Sequence, residues 1–301
     1  MLDIKDPKFA IPVVLIAGLF WSFGPYVVRH IDGAQQVPWQ YLFTRGIVIF
    51  IILNLFLYLE EGNEFIKNYT KIGISGAIGG VGLGIAMITF IYSITNTSAA
   101  VTLLCLAAMP FITALLGFLF LKETISTNVW IAIAIATIGI LIMSFDNTGK
   151  NTFTGLIFGI ASSIGFSVFS ISLRWRKETP KFTTVAIAGL FCCLFSGAMI
   201  IFNDLNFLST GKNQALFATH GTLVCLGLIL YSIGSKNIPA TDLTLLSLTE
   251  VIGGIFWVWI PWLGINEVPS VNTIIGGFFI FMAIFYYSLI MQTNRRFIGL
   301  N

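Results

Sequence analysis

Two ionisable side chains stand where the sequence is otherwise apolar. Arg45 lies in the run 38–59 and Glu250 in the run 239–263. A charge inside a hydrocarbon layer costs about 2.5–3.5 kcal/mol on insertion scales, so such a residue is a functional candidate by default. A guanidinium can hold a carboxylate, and a carboxylate can hold an ammonium group or a proton. The competing role for the two is a buried pair that only ties helices together. Asp242 is a third acid, just after Pro239-Ala240-Thr241. An acid in a first helical turn suits the positive end of the helix dipole. The short connection from Gly234 to Thr241 also makes Asp242 a candidate solute contact. Trp21 falls at mid-depth of the run 9–28, where an interfacial belt does not explain it. Beside Ser22, Gly24, Pro25 and Tyr26 it can line a cavity and stack on a planar or cationic group. Tyr26, Tyr92 and Tyr231 complete the candidate binding residues.

Other chemistry is not visible. The glycines from Gly79 to Gly84 lack a flanking strand and a following Lys, so they form no nucleotide loop. Close helix packing is the expected role of the glycines between Gly73 and Gly84. Cys105, Cys192, Cys193 and Cys225 all fall in apolar runs without a CxxC spacing. His30 and His220 stand apart, near what read as span ends. No cofactor, metal site or disulfide is expected.

The elements that must carry these residues follow from composition. Of 301 residues 56% are hydrophobic and 10% charged, against about 25% charged in soluble domains. A soluble enzyme, a nucleic-acid-binding domain and a disordered chain are excluded, and the net charge of +3 is too small to suggest a nucleic-acid partner. The lipid bilayer is the implied partner. A core about 30 Å thick needs about 20 apolar residues as a helix. The continuous, non-alternating runs 9–28, 38–59, 71–94, 98–121, 127–145, 153–173, 182–203, 219–235, 239–263 and 271–292 predict ten such helices. The first is too long for the core of a signal peptide, and no cleavage site closes it. Pro25 and Pro110 are expected to kink their spans.

Short loops carry the orientation signal. With both termini in the cytoplasm, twelve Lys and Arg residues fall in cytoplasmic segments. Three (Arg29, Lys150, Lys212) fall outside, and the sixteenth is Arg45. The expected location is the inner (plasma) membrane, multi-pass. Glu123 and Glu267, which close their spans at opposite faces, read as interfacial residues. Trp39, Trp130, Trp257, Trp259 and Trp262 read as belt residues.

The chain also repeats itself. Thr102-Leu103-Leu104-Cys105-Leu106 matches Thr244-Leu245-Leu246-Ser247-Leu248 at an offset of 142, and Gly18 and Gly24 match Gly159 and Gly165 at 141. The halves 1–146 and 153–301 hold five spans each. Five is odd, so the second half enters the membrane inverted, an architecture that places a site near the midplane between the halves. Arg45 and Glu250 have no charged counterpart in the opposite half.

Ten spans in a 5+5 arrangement resemble the drug/metabolite transporter superfamily, and within it the EamA type. The carrying residues are Asn96-Thr97-Ser98-Ala99-Ala100, Met109-Pro110 and Leu121-Lys122-Glu123 in the fourth span. In the ninth they are Leu245 to Glu250 and Gly264 to Ser270, with Trp21 and Arg45 fitting as well. Val251 stands where that family usually has Pro, a departure that removes the kink otherwise expected there. The resemblance implies an all-α integral membrane fold of two inverted five-helix repeats. It implies movement of a small organic metabolite, often an amino acid or related solute, often outward, with a proton as candidate coupled ion. An Arg–Glu pair suits a zwitterion, with Glu250 taking the cationic group and Arg45 the carboxylate. Glu250 with Trp21 would instead suit a quaternary or sulfonium amine. An uptake carrier or a channel for a small organic cation is the alternative, though one Arg and one Glu make no charged ring. An intramembrane enzyme lacks the paired acids or His cluster that it needs. The solute and the oligomeric state are not legible.

Overall fold

The computed structural model describes residues 7–122, 127–145, 152–176, 178–235, 238 and 240–297. Glu123, Lys150, Lys177, Lys236 and Pro239 lie outside the described residues. Helices make up the fold, and no strand occurs among the described residues. In chain order they are α1 (Pro7–Arg29), α2 (Pro38–Glu61), α3 (Ile66–Lys71), α4 (Gly73–Asn96), α5 (Ala99–Leu106), α6 (Met109–Leu121) and α7 (Thr127–Ser144). Then follow α8 (Thr152–Trp175), α9 (Lys181–Phe202), α10 (Gly211–Gly234), α11 (Ala240–Leu246), α12 (Thr249–Trp259) and α13 (Val271–Phe297). Among the described residues nine helices or helix pairs are long and apolar enough to cross a bilayer. In the tenth, α13, the apolar stretch is Val271–Tyr287. Side chains such as Ile51, Leu55, Phe120, Ile252, Phe278 and Phe285 point outward, as a hydrocarbon solvent permits.

The main packing partners cross between the halves: α1 with α10, α4 with α8, α2 with α9, and α7 with α13. Each half's first long helix therefore lies on the third of the other half. Glycines allow these approaches. A Cβ on Gly165 would stand 2.5 Å from the Gly82 carbonyl, and one on Gly46 would stand 2.8 Å from the Gly189 carbonyl. Close packing is what the glycines of α4 do.

The fourth and ninth spans are both broken, and the breaks have different causes. The fourth stops at Leu106 and restarts at Met109, with Pro110 in the first turn of α6. Proline there lacks the N–H that would continue the ladder. Pro110 thus starts a second helix where the sequence led us to expect a kink. The ninth span stops at Leu246 and restarts at Thr249 with no proline at all. Hydroxyls take over the freed carbonyls: Thr244 Oγ1 donates to Thr241 O (2.8 Å), Ser247 Oγ to Thr244 O (2.8 Å) and Thr249 Oγ1 to Leu246 O (2.7 Å). Such back-bonding competes with the helix ladder. Tightened backbone bonds, Glu250 N to Ser247 O (2.9 Å) and Val251 N to Leu248 O (3.0 Å), complete the break.

Candidate functional site

The break in the ninth span sets the chemistry. It makes Glu250 a first-turn residue of α12. The carboxylate then sits at the positive end of a half-helix dipole inside the membrane, which lowers the cost of keeping it there. Arg45 reaches the same place from α2, two turns in from Pro38. Its residue is 4% exposed, and neither Nε nor Nη1 has a hydrogen-bond partner. Both side chains line a central cavity of about 60 Å³ with Trp21, Met87, Phe166 and His220. Arg45 and Glu250 feel each other's charge, yet among the described residues they close neither an ion pair nor a hydrogen bond. The role of a helix-tying pair is therefore not what the geometry displays: two opposite charges face one space and stay apart. The cavity is two-sided. Its polar groups come from α1, α2, α10 and α12. The opposite wall, from α4, α5, α6 and α8, is largely apolar and includes Leu83, Met87, Phe90 and Met109.

Trp21 is placed by α10. Its indole Nε1 donates to Val224 O at 3.2 Å, and its ring meets Phe166 edge-on with centroids 5.6 Å apart. Tyr231 sits behind it. Its ring is 5.5 Å from Trp21, and its hydroxyl pairs with Ser170 Oγ at 2.9 Å. Ser170 lines a second cavity of about 690 Å³, at the end of the molecule that carries Glu60, Arg174 and Lys181. Tyr231 thus stands between the two cavities and does not line the central one. Tyr26 and Tyr92 are not brought to the cavity. Tyr26 packs on His30 at 4.5 Å, and Tyr92 lies between Trp39 (5.1 Å) and Phe158 (5.4 Å). Asp242 takes the first turn of α11 and is not among the central cavity's lining residues.

Three residues play parts different from those their sequence positions suggested. His220 is no span-end residue. Helix α10 begins at Gly211, capped by the Thr210 hydroxyl accepting from Asn213 N at 3.3 Å. That places His220 nearly three turns inside, 1% exposed, lining the cavity and hydrogen-bonded through Nδ1 to the Tyr41 hydroxyl. The only early signal was Thr210 as a helix cap, hidden by the polar stretch Lys212-Asn213-Gln214. Glu267 is more than an interfacial residue. Arg29 Nε and Nη2 donate to it at 2.6 and 3.3 Å, and it accepts from Ala99 N at 2.6 Å. Arg29 also donates to Ile94 O (2.6 Å) and Thr97 O (2.9 Å). One clamp therefore joins α1, α4, α5 and the segment after α12. Trp257 is no simple belt residue either, because its Nε1 donates to Ser22 Oγ at 3.0 Å and its ring stacks on Phe23. Trp259 and Trp262 do face outward.

Comparison with known proteins agrees with this architecture. The profile of the EamA-like transporter family matches residues 8–145. An uncharacterized transporter of Helicobacter pylori (strain J99) is 27% identical over 259 residues, covering 83% of this chain and 85% of its own length. The pseudopaline exporter CntI of Pseudomonas aeruginosa is 24% identical over 205 residues, covering 65% of this chain and 68% of its own. A crystal structure of a protein 16% identical to this one superposes with a TM-score of 0.65, covering 95% of this chain and 99% of the other, so the fold is shared end to end. With its ten-helix fold, its family profile and its transporter relatives, the chain belongs to the EamA-like transporter family of the drug/metabolite transporter superfamily.

Proposed function

We propose that this transporter exports a small zwitterionic metabolite, an amino acid or a solute built like one, by alternating access of the central cavity. One observation carries the reading: Arg45 and Glu250 face the same enclosed space without pairing. A solute bearing a carboxylate and an ammonium group would satisfy both at once, and the apolar wall opposite would take its remaining part. An apolar organic cation would leave Arg45 unmatched, which favours the zwitterion.

The rest of the molecule supports a moving site. The cavity holds about four or five waters at roughly 10–15 Å³ of accessible volume each, so its walls must part to admit an amino acid. The clamp of Arg29 on Glu267 closes the end that the charge rule assigns to the outside. The wide second cavity lies at the end assigned to the cytoplasm, where an exporter loads. The outward direction is further supported by the likeness to an exporter in Pseudomonas aeruginosa. Glu250 is the group on which a coupled proton would compete with the ammonium group.

Counterflow in proteoliposomes tests this reading. Vesicles loaded with L-leucine are expected to accumulate labelled leucine saturably. Glu250→Gln should lower that exchange at least about 10-fold, the scale of one lost charge-assisted contact, while the protein still purifies as a folded species. Leak that never saturates, or wild-type exchange by the variant, would remove Glu250 from the mechanism.

A further inference from the structure

The central cavity contains a polar group that neither the family profile nor the charge pattern points to. His220 is buried, and both sides of its imidazole are accounted for by neighbours on different helices. On one side Nδ1 is hydrogen-bonded to the Tyr41 hydroxyl from α2. On the other, Nε2 faces α1 at Gly24, where any Cβ would stand 2.7 Å from it. No side chain or carbonyl among the described residues bonds Nε2, and His220 lines the cavity. Glycine at 24 therefore keeps open the space in front of an unclaimed ring nitrogen.

The neighbours decide what that nitrogen offers. Arg45 follows Tyr41 by one turn of α2 and lies against its hydroxyl. The cation draws the phenol oxygen's lone pairs, which turns the phenol proton toward Nδ1. An imidazole that accepts at Nδ1 carries its own proton on Nε2. The titratable and charged groups facing the ring are then Tyr41, Arg45 and Glu250, and the ring adds an N–H donor on the Arg45 side.

We infer that His220 is a specificity-determining residue, donating from Nε2 to the same solute carboxylate that Arg45 holds, with Tyr41 and Gly24 as the positioning residues that orient it and keep its way clear. This rests on the zwitterion reading above and adds to it. The solute is recognised through two donors at its carboxylate, so an amide or ester in that place is rejected. A single Arg contact discriminates less, because a carboxyl amide still offers it one acceptor oxygen.

The test uses the purified full-length chain in detergent, with binding read from ligand-dependent unfolding temperature. L-leucine is the probe and L-leucinamide, which keeps the amine and loses the acid, is its comparison. The wild-type protein is expected to bind L-leucine far more tightly. His220→Ala and Gly24→Ala are expected to shrink the leucine-to-leucinamide preference by about 10-fold, one charge-assisted hydrogen bond. Tyr41→Phe, which removes a single oxygen, should shrink it less. His220→Gln, whose amide N–H reaches the Nε2 position, should largely restore it. A purely structural role would change stability without ligand but leave that preference alone. If the wild type prefers leucine and the preference survives in His220→Ala, Gly24→Ala and Tyr41→Phe, the inference is overturned while the zwitterion reading stands. If neither compound stabilises the wild type, the zwitterion reading fails and takes this inference with it.

Discussion

At the scale of single residues, the site depends on charges that the fold keeps apart. Arg45 presents a planar fork of donors, which Lys cannot copy. Arg45→Lys should therefore keep the positive charge yet raise the KM for counterflow of L-leucine several-fold, with the maximal rate less affected. An unchanged KM would mean that Arg45 contributes only charge at a distance. The sequence made Arg45 and Glu250 legible for a simple physical reason: each is an expensive charge in a run of apolar neighbours. Trp21 was legible because it sits too deep for an interfacial role. His220 was not, because the polar stretch before it looked like the outside of a span, and its bond to Tyr41 links positions 179 residues apart. Tyr26 and Tyr92 looked equivalent to the cavity residues by depth alone. The side of the helix on which they point is fixed by packing, which one sequence does not display.

At the scale of elements, the two broken spans differ in how they break. Pro110 announces one break in the sequence. The other has no proline, and Val251 in its place suggested a continuous helix. Three hydroxyls within nine residues (Thr244, Ser247 and Thr249) do the work instead, each donating to a carbonyl three residues back. Replacing Ser247 by Ala together with Thr249 by Val should cost about 1 kcal/mol per lost bond. It should also straighten the ninth span, moving Glu250 off a helix start. Exchange should then fall more than stability does, and a variant with full exchange would show that the break does not position the acid. Packing offers a second check. Gly165→Ala puts a methyl against the Gly82 carbonyl, so the unfolding midpoint should drop by the equivalent of about 1–3 kcal/mol. An unshifted midpoint would mean that α4 and α8 have slack at this crossing.

At the scale of the whole molecule, the clamp of Arg29 on Glu267 joins the two halves at one end, while the 690 Å³ cavity sits at the other. If the clamp holds one end shut, Glu267→Gln should make a cysteine at Leu106, on the cavity wall, react faster with an impermeant maleimide added outside. Exchanging the two charges, Arg29→Glu with Glu267→Arg, should slow that reaction again. Labelling that ignores both changes would assign the clamp to stability alone. The number of spans and their helical nature were legible from apolar run length. The inverted repeat was legible from short matches at a constant offset. The crossing of partners between halves was not, since every such contact joins residues far apart in the chain.

The central claim is that Arg45 and Glu250 grip a solute between them and not each other, and a double-mutant cycle on leucine counterflow separates the two cases. Residues that served only to neutralise one another would show rescue when both charges are removed. The account predicts that Arg45→Gln with Glu250→Gln, confirmed folded by its unfolding midpoint, exchanges leucine no faster than either single variant. Recovery of the double variant toward wild-type exchange would contradict it.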